Sequence, residues 1–293
     1  MSMLIGKTKM IPIDIWYVWP KRQKDLLCNQ LAIITGIVWT YPLTKISLRQ
    51  MLSGQSVKKV TFYTFHEGVF LLYRGVLPQI IQRCTSITAT YIVHQNVNMT
   101  FREYPKNVAK IYSGLLLGTI DSLLMPFERV QVILADKGYN HTYKNTRHCF
   151  QQLVTQHGFK ELYRGLGLVY FRNILGSIIF ISLLLEKEKI LRQEQKMREP
   201  PVVMSATRIL LDSLQGTIVS IILHPLNVLR VYLHKQVGER HMHTHIAFQK
   251  VYRENGLYFF WSGLYVNLIR SWTSWVLIAS SNELYKQIYA HYR

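Results

Sequence analysis

The sequence predicts an all-α membrane protein in which three similar units each contribute two transmembrane helices and a short surface helix. Two observations predict this fold: one motif recurs three times in 293 residues, and apolar stretches alternate with polar, basic connections. The copies of the motif are about a hundred residues apart, which leaves room for three units and little else. We therefore predict one domain over residues 1–293, with units at about 24–104, 105–198 and 199–293.

The repeated motif begins with a proline and ends with a glycine 33 to 39 residues later. An aromatic residue and then a small or basic residue come directly before that glycine. In chain order the copies run from Pro42 to Tyr73-Arg74-Gly75, from Pro126 to Tyr163-Arg164-Gly165, and from Pro225 to Trp261-Ser262-Gly263. A further glycine stands seven residues before each of these glycines, at Gly68, Gly158 and Gly256. Three copies at matching spacing indicate an internal repeat, whereas a single copy would be weak.

Apolar stretches predict the transmembrane helices in chain order. In the first unit, 19 residues from Leu26 to Thr44 and 18 from Cys84 to Phe101 contain no Lys, Arg, Asp or Glu. The other uncharged stretches are shorter, so their helices can cross about 30 Å of hydrocarbon only if polar residues occupy one helix face. We expect helices near 26–52, 76–98, 108–136, 167–192, 204–236 and 264–289.

The connections inside each unit are predicted to form surface helices. Polar segments at about 53–70, 140–162 and 238–260 lie between the paired helices and end at the motif glycine. The three prolines fall late in the first helix of each unit, where a proline removes a backbone hydrogen bond and bends the helix. Three equivalent bends would bring these helices together at one end of the bundle.

Composition limits the classes of partner. The net charge is +19, but 49% of the residues are hydrophobic and the basic residues lie mostly between the apolar stretches. This distribution favours a membrane with anionic lipid and disfavours nucleic acid as the partner. The three cysteines have no paired spacing, so neither a disulfide framework nor a metal site is expected. We find no P-loop, dinucleotide fingerprint or nucleophile arrangement, so an enzyme is disfavoured.

Several ionisable residues lie within or beside the apolar stretches. They are Asp121, Glu128, Arg129, Arg172, Arg230 and Arg270. Ionisable groups at membrane depth are costly, so these side chains should face a water-filled cavity or one another. For Arg129 in particular, an interfacial position with the side chain reaching toward water is the alternative.

These features resemble the mitochondrial carrier family from Leu26 to Lys286. The family signature places an acid two residues after each proline and a base three residues later, and then repeats acid-glycine and aromatic-base-glycine elements. Its second half is complete in the first unit, from Glu67-Gly68 to Tyr73-Arg74-Gly75, whereas His157 and Asn255 replace the acid in the other units. The resemblance implies six transmembrane helices in three pseudo-threefold repeats, with short surface helices on the matrix side.

The first half of the signature departs further from the family. The resemblance implies a matrix-side gate between neighbouring odd-numbered helices, with these positions held by Thr44, Ser47, Glu128, Gln131, Asn227 and Arg230. Only Glu128 and Arg230 remain as an ion pair there, while Thr44 with Gln131 and Asn227 with Ser47 are expected to offer neutral hydrogen bonds. For the opposite gate the resemblance implies the pairs Glu186 with Lys189 and Glu283 with Lys286. The first unit has the uncharged residues His94, Gln95 and Asn98 there.

A more specific resemblance is to the mitochondrial NAD transporter subfamily. It is carried by Pro126-Phe127-Glu128-Arg129-Val130-Gln131, by Leu162-Tyr163-Arg164-Gly165-Leu166 leading to Phe171-Arg172-Asn173, by Pro225-Leu226-Asn227-Val228-Leu229-Arg230, and by Leu72-Tyr73-Arg74-Gly75. The uncharged first-unit gate belongs to the same pattern. The resemblance implies that NAD is the transported substrate and that no cofactor is bound.

Counting from the motif glycines gives a candidate binding site. Positions seven and eight residues beyond each glycine are Gln82 and Arg83, Arg172 and Asn173, and Arg270 and Ser271. In a threefold bundle they lie at one depth, and the resemblance makes them the substrate contacts. Arginine presents a planar fork suited to phosphate oxygens, so an anionic, phosphate-bearing substrate follows.

Roles can be assigned within this site as hypotheses. Arg172 and Arg270 would bind a pyrophosphate with help from Arg83, and Glu128 would meet a nicotinamide cation or act only at the gate. Aromatic residues near these positions would either stack on adenine or face a neighbouring helix or lipid; they are Tyr91, Trp272 and Trp275.

The sequence therefore predicts a multi-pass transporter of the mitochondrial inner membrane that imports NAD by alternating access. We expect a monomer in contact with anionic lipid such as cardiolipin. The alternatives are a carrier of another phosphate-bearing nucleotide or cofactor, a degenerate carrier that transports nothing, and a peripheral basic protein on anionic membranes.

Overall fold

The computed structural model describes the backbone of residues 15–100, 106–196, 201–238 and 242–291, and the side chains of most positions in 26–93, 111–191 and 213–285. These described ranges are helical almost throughout and contain no strand. The all-α class predicted from the sequence is therefore confirmed for this part of the chain.

Twelve α-helices occur within the described ranges. In chain order they are α1 (Ile15–Ser53), α2 (Val57–His66), α3 (Val69–Leu72), α4 (Val76–Thr100), α5 (Lys106–Leu123), α6 (Met125–Ala135), α7 (Thr146–His157), α8 (Leu166–Lys196), α9 (Pro201–Ile222), α10 (His224–Lys235), α11 (Thr244–Asn255) and α12 (Leu264–His291). Short 3-10 turns cover Lys137–Tyr139, Phe159–Tyr163 and Leu257–Trp261. The predicted surface helices correspond to α2, α7 and α11, and the last two end directly before Gly158 and Gly256.

The long helices form a closed ring. Helix α1 packs on α4, α4 on α5, α5 on α8, α8 on α9, α9 on α12, and α12 packs back on α1. The contact between α5 and α8 is close because Gly114 and Gly118 face Ile178 and Ile174, and a β-carbon on either glycine would lie 2.6 Å from an isoleucine Cγ1 atom. Small residues allow this approach of two backbones.

Prolines interrupt the first long helix of the second unit and that of the third. The helical run breaks at Leu124, between α5 and α6, and at Leu223, between α9 and α10, where the two segments are bent by 65°. Pro126 and Pro225 therefore begin new helices, where a missing N–H costs nothing. Helix α1 runs through Pro42 without a break, so the bend expected there stays a prediction. Helix α1 packs on both α4 and α12, and such neighbours can compensate for a lost bond.

The three motif glycines connect the units to one another. Gly75, Gly165 and Gly263 have φ angles of +93°, +84° and +78°, which only glycine adopts at low cost. A β-carbon on them would lie 3.4 Å from Leu134, 3.3 Å from Leu233 and 3.3 Å from Gln50, respectively. Each partner stands eight residues after the proline of the next unit, so the first unit contacts the second, the second the third, and the third the first.

The residue before each motif glycine follows the same cycle. Arg74 donates to the backbone oxygens of Tyr139 (3.2 Å) and Asn140 (3.1 Å) in the second unit. Arg164 Nη1 lies 3.4 Å from Gln236 Oε1 in the third unit. Ser262 Oγ donates to the backbone oxygen of Gln50 in the first unit at 2.8 Å. The aromatic-base-glycine element thus joins neighbouring units.

A buried contact recurs inside each unit, between the residue three positions after the proline and the residue four positions before the glycine. In the first unit the Lys45 ammonium donates to the Leu71 carbonyl. In the second, Arg129 donates to the Glu161 carboxylate at 2.6 Å. In the third, the corresponding residues are apolar, and Phe259 packs against the buried cluster that contains Val228. Arg129 is therefore fully buried and paired, and the interfacial alternative for its side chain is wrong.

The number of membrane spans is not confirmed by helix length and hydropathy. Within the described ranges, Leu26–Ser53 and Phe159–Leu191 are long and apolar enough to cross a membrane. The bent pair Ser213–Ile222 and His224–Lys235 becomes a third candidate when it is counted as one span. The remaining long helices do not meet both criteria within the described residues; Ile111–Leu123, for example, is apolar but shorter than a span.

Candidate functional site

The ring of long helices encloses a cavity of about 600 Å³. All of the residues predicted to bind substrate line it: Gln82, Arg83, Glu128, Arg172, Asn173, Arg270 and Ser271. The residues predicted for the matrix-side gate line it as well, namely Thr44, Ser47, Gln131, Asn227 and Arg230. The structure therefore places the two predicted sets in one continuous space.

Glu128 is the most connected side chain of this cavity. Its Oε1 atom accepts a hydrogen bond from Gln82 Nε2 at 2.6 Å and lies 3.6 Å from Arg172 Nη1. Its Oε2 atom accepts from Arg230 Nη1. One buried carboxylate on α6 thus contacts α4, α8 and α10, and its charge is balanced by two guanidinium groups.

Two arginines, one on α8 and one on α12, are held by side-chain amides close to them in the sequence. Arg172 donates to Asn173 Oδ1 at 2.7 Å. Arg270 donates to Asn267 Oδ1 at 2.9 Å and to the Ser271 hydroxyl at 3.1 Å. These neutral partners orient the guanidinium groups without neutralising them. Arg172 also lies 3.6 Å from Glu128, so its charge is partly balanced by that carboxylate.

Asn173 and Arg83 complete the lining at this depth. The Asn173 amide donates to the Ser122 hydroxyl at 3.2 Å, which ties α8 to α5. Arg83 is exposed on α4 and also lines the cavity, so its guanidinium is accessible to a ligand. The three predicted arginines thus all line the cavity, where Arg172 and Arg270 are held by hydrogen bonds and Arg83 is exposed.

Charge in the cavity is predominantly positive. Four arginines and one lysine line it, against two carboxylates; the residues are Arg83, Arg172, Lys187, Arg230, Arg270, Asp121 and Glu128. An anion is favoured in such a space, and guanidinium groups suit phosphate oxygens in particular. The two carboxylates lie on α5 and α6, so a ligand with one cationic part could meet them on that side.

The neutral hydrogen bonds predicted for the gate are not formed. Gln131 donates to Gln79 Oε1 at 2.9 Å instead of pairing with Thr44, whose hydroxyl donates to the Thr40 carbonyl of its own helix at 3.2 Å. Ser47 lies 3.5 Å from the Gly263 carbonyl, and Asn227 Oδ1 is buried without a partner. Thr44 thus bonds within its own helix, and Gln131 pairs with a residue of α4 and not of α1.

The opposite gate is only partly described. Glu186 and Lys189 form an ion pair at 2.7 Å, but both belong to α8 and their side chains are 65% exposed. The remaining predicted members are Glu283, Lys286, His94, Gln95 and Asn98, whose side chains lie outside the described residues. A contact between helices at this end therefore remains a prediction.

Sequence reasoning missed several lining residues. Gln79 and Asn267 stand four residues after their motif glycines, so the same count that found Arg172 would have found them. Phe180 and Trp275 also line the cavity, whereas Trp272 is 52% exposed and is not part of the lining. Of the aromatic residues considered for stacking, Trp275 alone is placed in the lining that the structure describes.

Titratable groups of the surface segments are shifted by their surroundings. Burial alone would raise the pKa of the Glu67 carboxyl, but the hydrogen bonds and charges of Arg49 at 2.5 Å and Lys137 at 3.2 Å hold it below its usual 4.5. On α7, burial raises the pKa of the Cys149 thiol to about 12. The first shift makes Glu67 a charged partner near neutral pH, and the second makes Cys149 a poor nucleophile.

Comparisons with known proteins give the family. The chain is 27% identical over 275 residues to the mitochondrial nicotinamide adenine dinucleotide transporter SLC25A51 of Mus musculus, covering 90% of this chain and 89% of that protein. It is 28% identical over 269 residues to human SLC25A52, a transporter of the same name, covering 89% and 88%. Human solute carrier family 25 member 53 is 25% identical over 254 residues, covering 83% and 81%. A family model for mitochondrial carrier proteins matches residues 103–194 and 204–293, and the chain therefore belongs to the mitochondrial carrier family.

Proposed function

We propose that this protein is a multi-pass transporter of the mitochondrial inner membrane that imports NAD into the matrix by alternating access. The observation that carries the proposal is the cavity in which Arg172 and Arg270 are oriented by amides and lack a full charge partner. Two relatives that align over most of this chain are named as mitochondrial NAD transporters, which supports the choice of substrate.

The chemistry of NAD matches the distribution of charge in the cavity. Its pyrophosphate bridge carries two negative charges, for which Arg172 and Arg270 offer planar donors, with Arg83 exposed nearby on the wall. Its nicotinamide ring is a cation, and the carboxylates of Asp121 and Glu128 lie on α5 and α6. An adenine and two riboses remain for the polar and aromatic parts of the lining.

Substrate binding can be coupled to the gate through Glu128. This carboxylate contacts Arg230 on α10 and Arg172 on α8. A phosphate that binds Arg172 competes with Glu128 for the same guanidinium, so binding weakens one of the contacts that hold α6 against its neighbours. Such a ligand shifts the conformational equilibrium only by its difference in affinity for the two states.

The proposed architecture has six transmembrane helices in three pseudo-threefold repeats. The spans would be α1, α4, α5 with α6, α8, α9 with α10, and α12, and α2, α7 and α11 would lie on the matrix side. The cyclic contacts of the motif glycines support this arrangement, since each joins one unit to the next. We further propose that the protein is a monomer that contacts anionic lipid, cardiolipin in particular, through its excess of basic residues.

Uptake of labelled NAD into liposomes containing the purified protein tests this function. Arg172→Ala and Arg270→Ala should each lower the uptake rate at least tenfold, since a charged hydrogen bond is worth about 1.5–3 kcal/mol. Arg253→Ala is the matched control, because this arginine is exposed on α11, outside the cavity lining. Wild-type uptake by both cavity variants would contradict the assignment.

A related substrate is the second candidate. Any pyrophosphate would find the same oriented arginines, so unlabelled ADP, coenzyme A and flavin dinucleotide should be compared with NAD as competitors. The single ion pair described at the matrix-side gate, Glu128 with Arg230, also allows a carrier-like protein that transports nothing. If neither NAD nor any of the other compounds is taken up under any gradient, a carrier-like protein that transports nothing is favoured. Release of the protein from membranes by alkaline carbonate would favour a peripheral protein.

A further inference from the structure

One wall of the cavity is aromatic and takes no part in the arginine network. Phe180 on α8 and Trp275 on α12 have ring centroids 6.1 Å apart and ring planes inclined by 25°. Both side chains line the cavity, so their surfaces remain accessible from it. Aromatic rings that line a cavity offer a flat surface on which a planar ligand can stack.

A glycine on the intervening helix fixes the position of the indole. A β-carbon on Gly216 of α9 would lie 1.6 Å from Trp275 Nε1 and 2.2 Å from its Cδ1 atom. Any side chain at position 216 would therefore displace the indole from its place. Trp275 is held between the backbone of α9 and the ring of Phe180, which makes it a restrained surface for a planar ligand.

We propose that Phe180 and Trp275 form the subsite that stacks the adenine ring of the transported dinucleotide. The proposal rests on the proposed function and names which part of the substrate this wall receives. Trp275 follows Arg270 by five residues on α12, which corresponds to a rise of about 7.5 Å along the helix. A single ribose separates the pyrophosphate from adenine, so a phosphate at Arg270 brings the base to this wall. Bases stack on aromatic side chains without needing hydrogen-bond partners.

The charges of the cavity favour adenine over nicotinamide at this place. The cation of nicotinamide is attracted to carboxylates, and those of the lining, Asp121 and Glu128, lie on α5 and α6. The cations Lys187 and Arg270 lie on the same two helices as the aromatic pair, α8 and α12. A neutral ring is therefore favoured beside Phe180 and Trp275, and the cationic ring is favoured beside the carboxylates of α5 and α6.

Two inhibitors of labelled NAD uptake separate the halves of the substrate. ADP-ribose contains adenine and the pyrophosphate but no nicotinamide, whereas nicotinamide mononucleotide contains no adenine. In liposomes, Trp275→Ala should weaken inhibition by ADP-ribose about tenfold, as expected for the loss of one stacked base. Inhibition by nicotinamide mononucleotide should change less than twofold, and Trp275→Phe should retain most of the ADP-ribose inhibition.

Two further variants make the test independent of folding. Gly216→Ala keeps the tryptophan but displaces the indole, so it should weaken ADP-ribose selectively as well. Trp272→Ala is the matched control, since it removes an indole from the same helix at a position 52% exposed and outside the lining. Thermal unfolding of each variant in detergent identifies a general loss of stability.

The outcomes distinguish the subsite from the transport function. Selective weakening of ADP-ribose in Trp275→Ala and Gly216→Ala supports the subsite. An equal loss for both inhibitors, a selective loss for nicotinamide mononucleotide, or no change would each overturn it. If Trp275→Ala does not fold, Gly216→Ala and Trp275→Phe decide by the same criterion. Wild-type protein that takes up no NAD would instead contradict the proposed function itself.

Discussion

At the scale of single residues, the contacts of each charged side chain determine what it can still bind. Arg230 is committed to Glu128, while Arg172 shares its charge between Glu128 and the neutral amide of Asn173. Arg270 contacts neutral oxygens in the described part of the lining, at Asn267 and Ser271. The capacity to bind phosphate therefore increases from Arg230 through Arg172 to Arg270.

The first prediction concerns Glu128. Glu128→Gln should keep the contact with Gln82 but leave Arg230 and Arg172 without their carboxylate, which costs about 3–5 kcal/mol for a buried pair. We expect a lower unfolding temperature in detergent and loss of NAD uptake in liposomes. Glu186→Gln is the control, because its ion pair is 65% exposed. Equal unfolding temperatures for the Glu128→Gln variant and the wild type would show that the contact is not stabilising.

The second prediction concerns pH and Glu67. Its pKa is held below 4.5 by Arg49 and Lys137, so the folded protein binds this proton less readily than the unfolded chain. The stability it contributes is present above the ordinary pKa and is lost as pH falls through the lowered one. Glu67→Gln should therefore be less stable than the wild type at pH 7.

The same difference should persist at pH 5 and disappear on further acidification. Thermal unfolding of both proteins in detergent across this range measures it. A difference that is independent of pH would show that Glu67 stabilises the fold by packing and not by its charge.

At the scale of the elements, each motif glycine ends one segment and permits contact with the next unit. Gly165 combines a φ of +84° with a contact to Leu233, which a β-carbon would approach within 3.3 Å. Gly158 has the same φ of +84° but nothing within 4 Å of its β-carbon position. Gly167, inside α8, has neither constraint. These three glycines separate backbone conformation from packing.

The third prediction uses these glycines as a series. Gly167→Ala should be neutral or stabilising, since alanine favours a helix by about 0.5–1 kcal/mol relative to glycine. Gly158→Ala should destabilise by about 1–2 kcal/mol because of the left-handed backbone. Gly165→Ala should destabilise the most, because Leu233 must also move. Unfolding temperatures in detergent give the order, and equal effects at positions 158 and 165 would show that the contact between units contributes nothing.

The beginnings of the even-numbered helices could be predicted because a glycine marks them. Helices α4, α8 and α12 begin at Val76, Leu166 and Leu264, within one residue of the positions expected from the motif. The other ends were less accurate. Helix α1 begins at Ile15, eleven residues before the apolar stretch that starts at Leu26. The length of an apolar stretch reflects the thickness of the hydrocarbon core, and a helix can extend beyond it.

The site was predictable in position but less so in its contacts. Counting from the glycines found Gln82, Arg172 and Arg270, since equivalent positions of a repeat face the same axis. Thr44 was predicted as the partner of Gln131, but Gln131 pairs with Gln79. That choice depends on how far each side chain reaches from one helix to the next. A repeat determines the depth and face of a residue, whereas its partner depends on the three-dimensional distance.

At the scale of the whole molecule, the protein combines a cyclic framework with an asymmetric interior. The glycine contacts run from the first unit to the second, third and first again. The charges do not follow this symmetry, because both carboxylates of the cavity belong to the second unit. The cyclic contacts close the ring, and an asymmetric lining can recognise a ligand whose two ends differ.

The last prediction tests the number of spans. If all six long segments cross the membrane, the surface helices lie in the matrix and the connection between α4 and α5 faces the intermembrane space. If only the two clearest candidates cross, α1 and α8, then α2, the start of α5 and the segment after α7 all lie on one side. A third span at α9 and α10 does not change this.

Single cysteines therefore discriminate between the arrangements. Cys28, Cys84 and Cys149 are first replaced by serine or alanine, and one cysteine is introduced as Lys58→Cys, Lys106→Cys or Lys160→Cys. Positions 58 and 160 are exposed, and position 106 begins α5. With six spans, an impermeant maleimide added to mitoplasts should label only position 106, and all three after detergent. Labelling position 106 together with 58 and 160, or protecting all three, would exclude the six-span arrangement, because α4 would then not separate them.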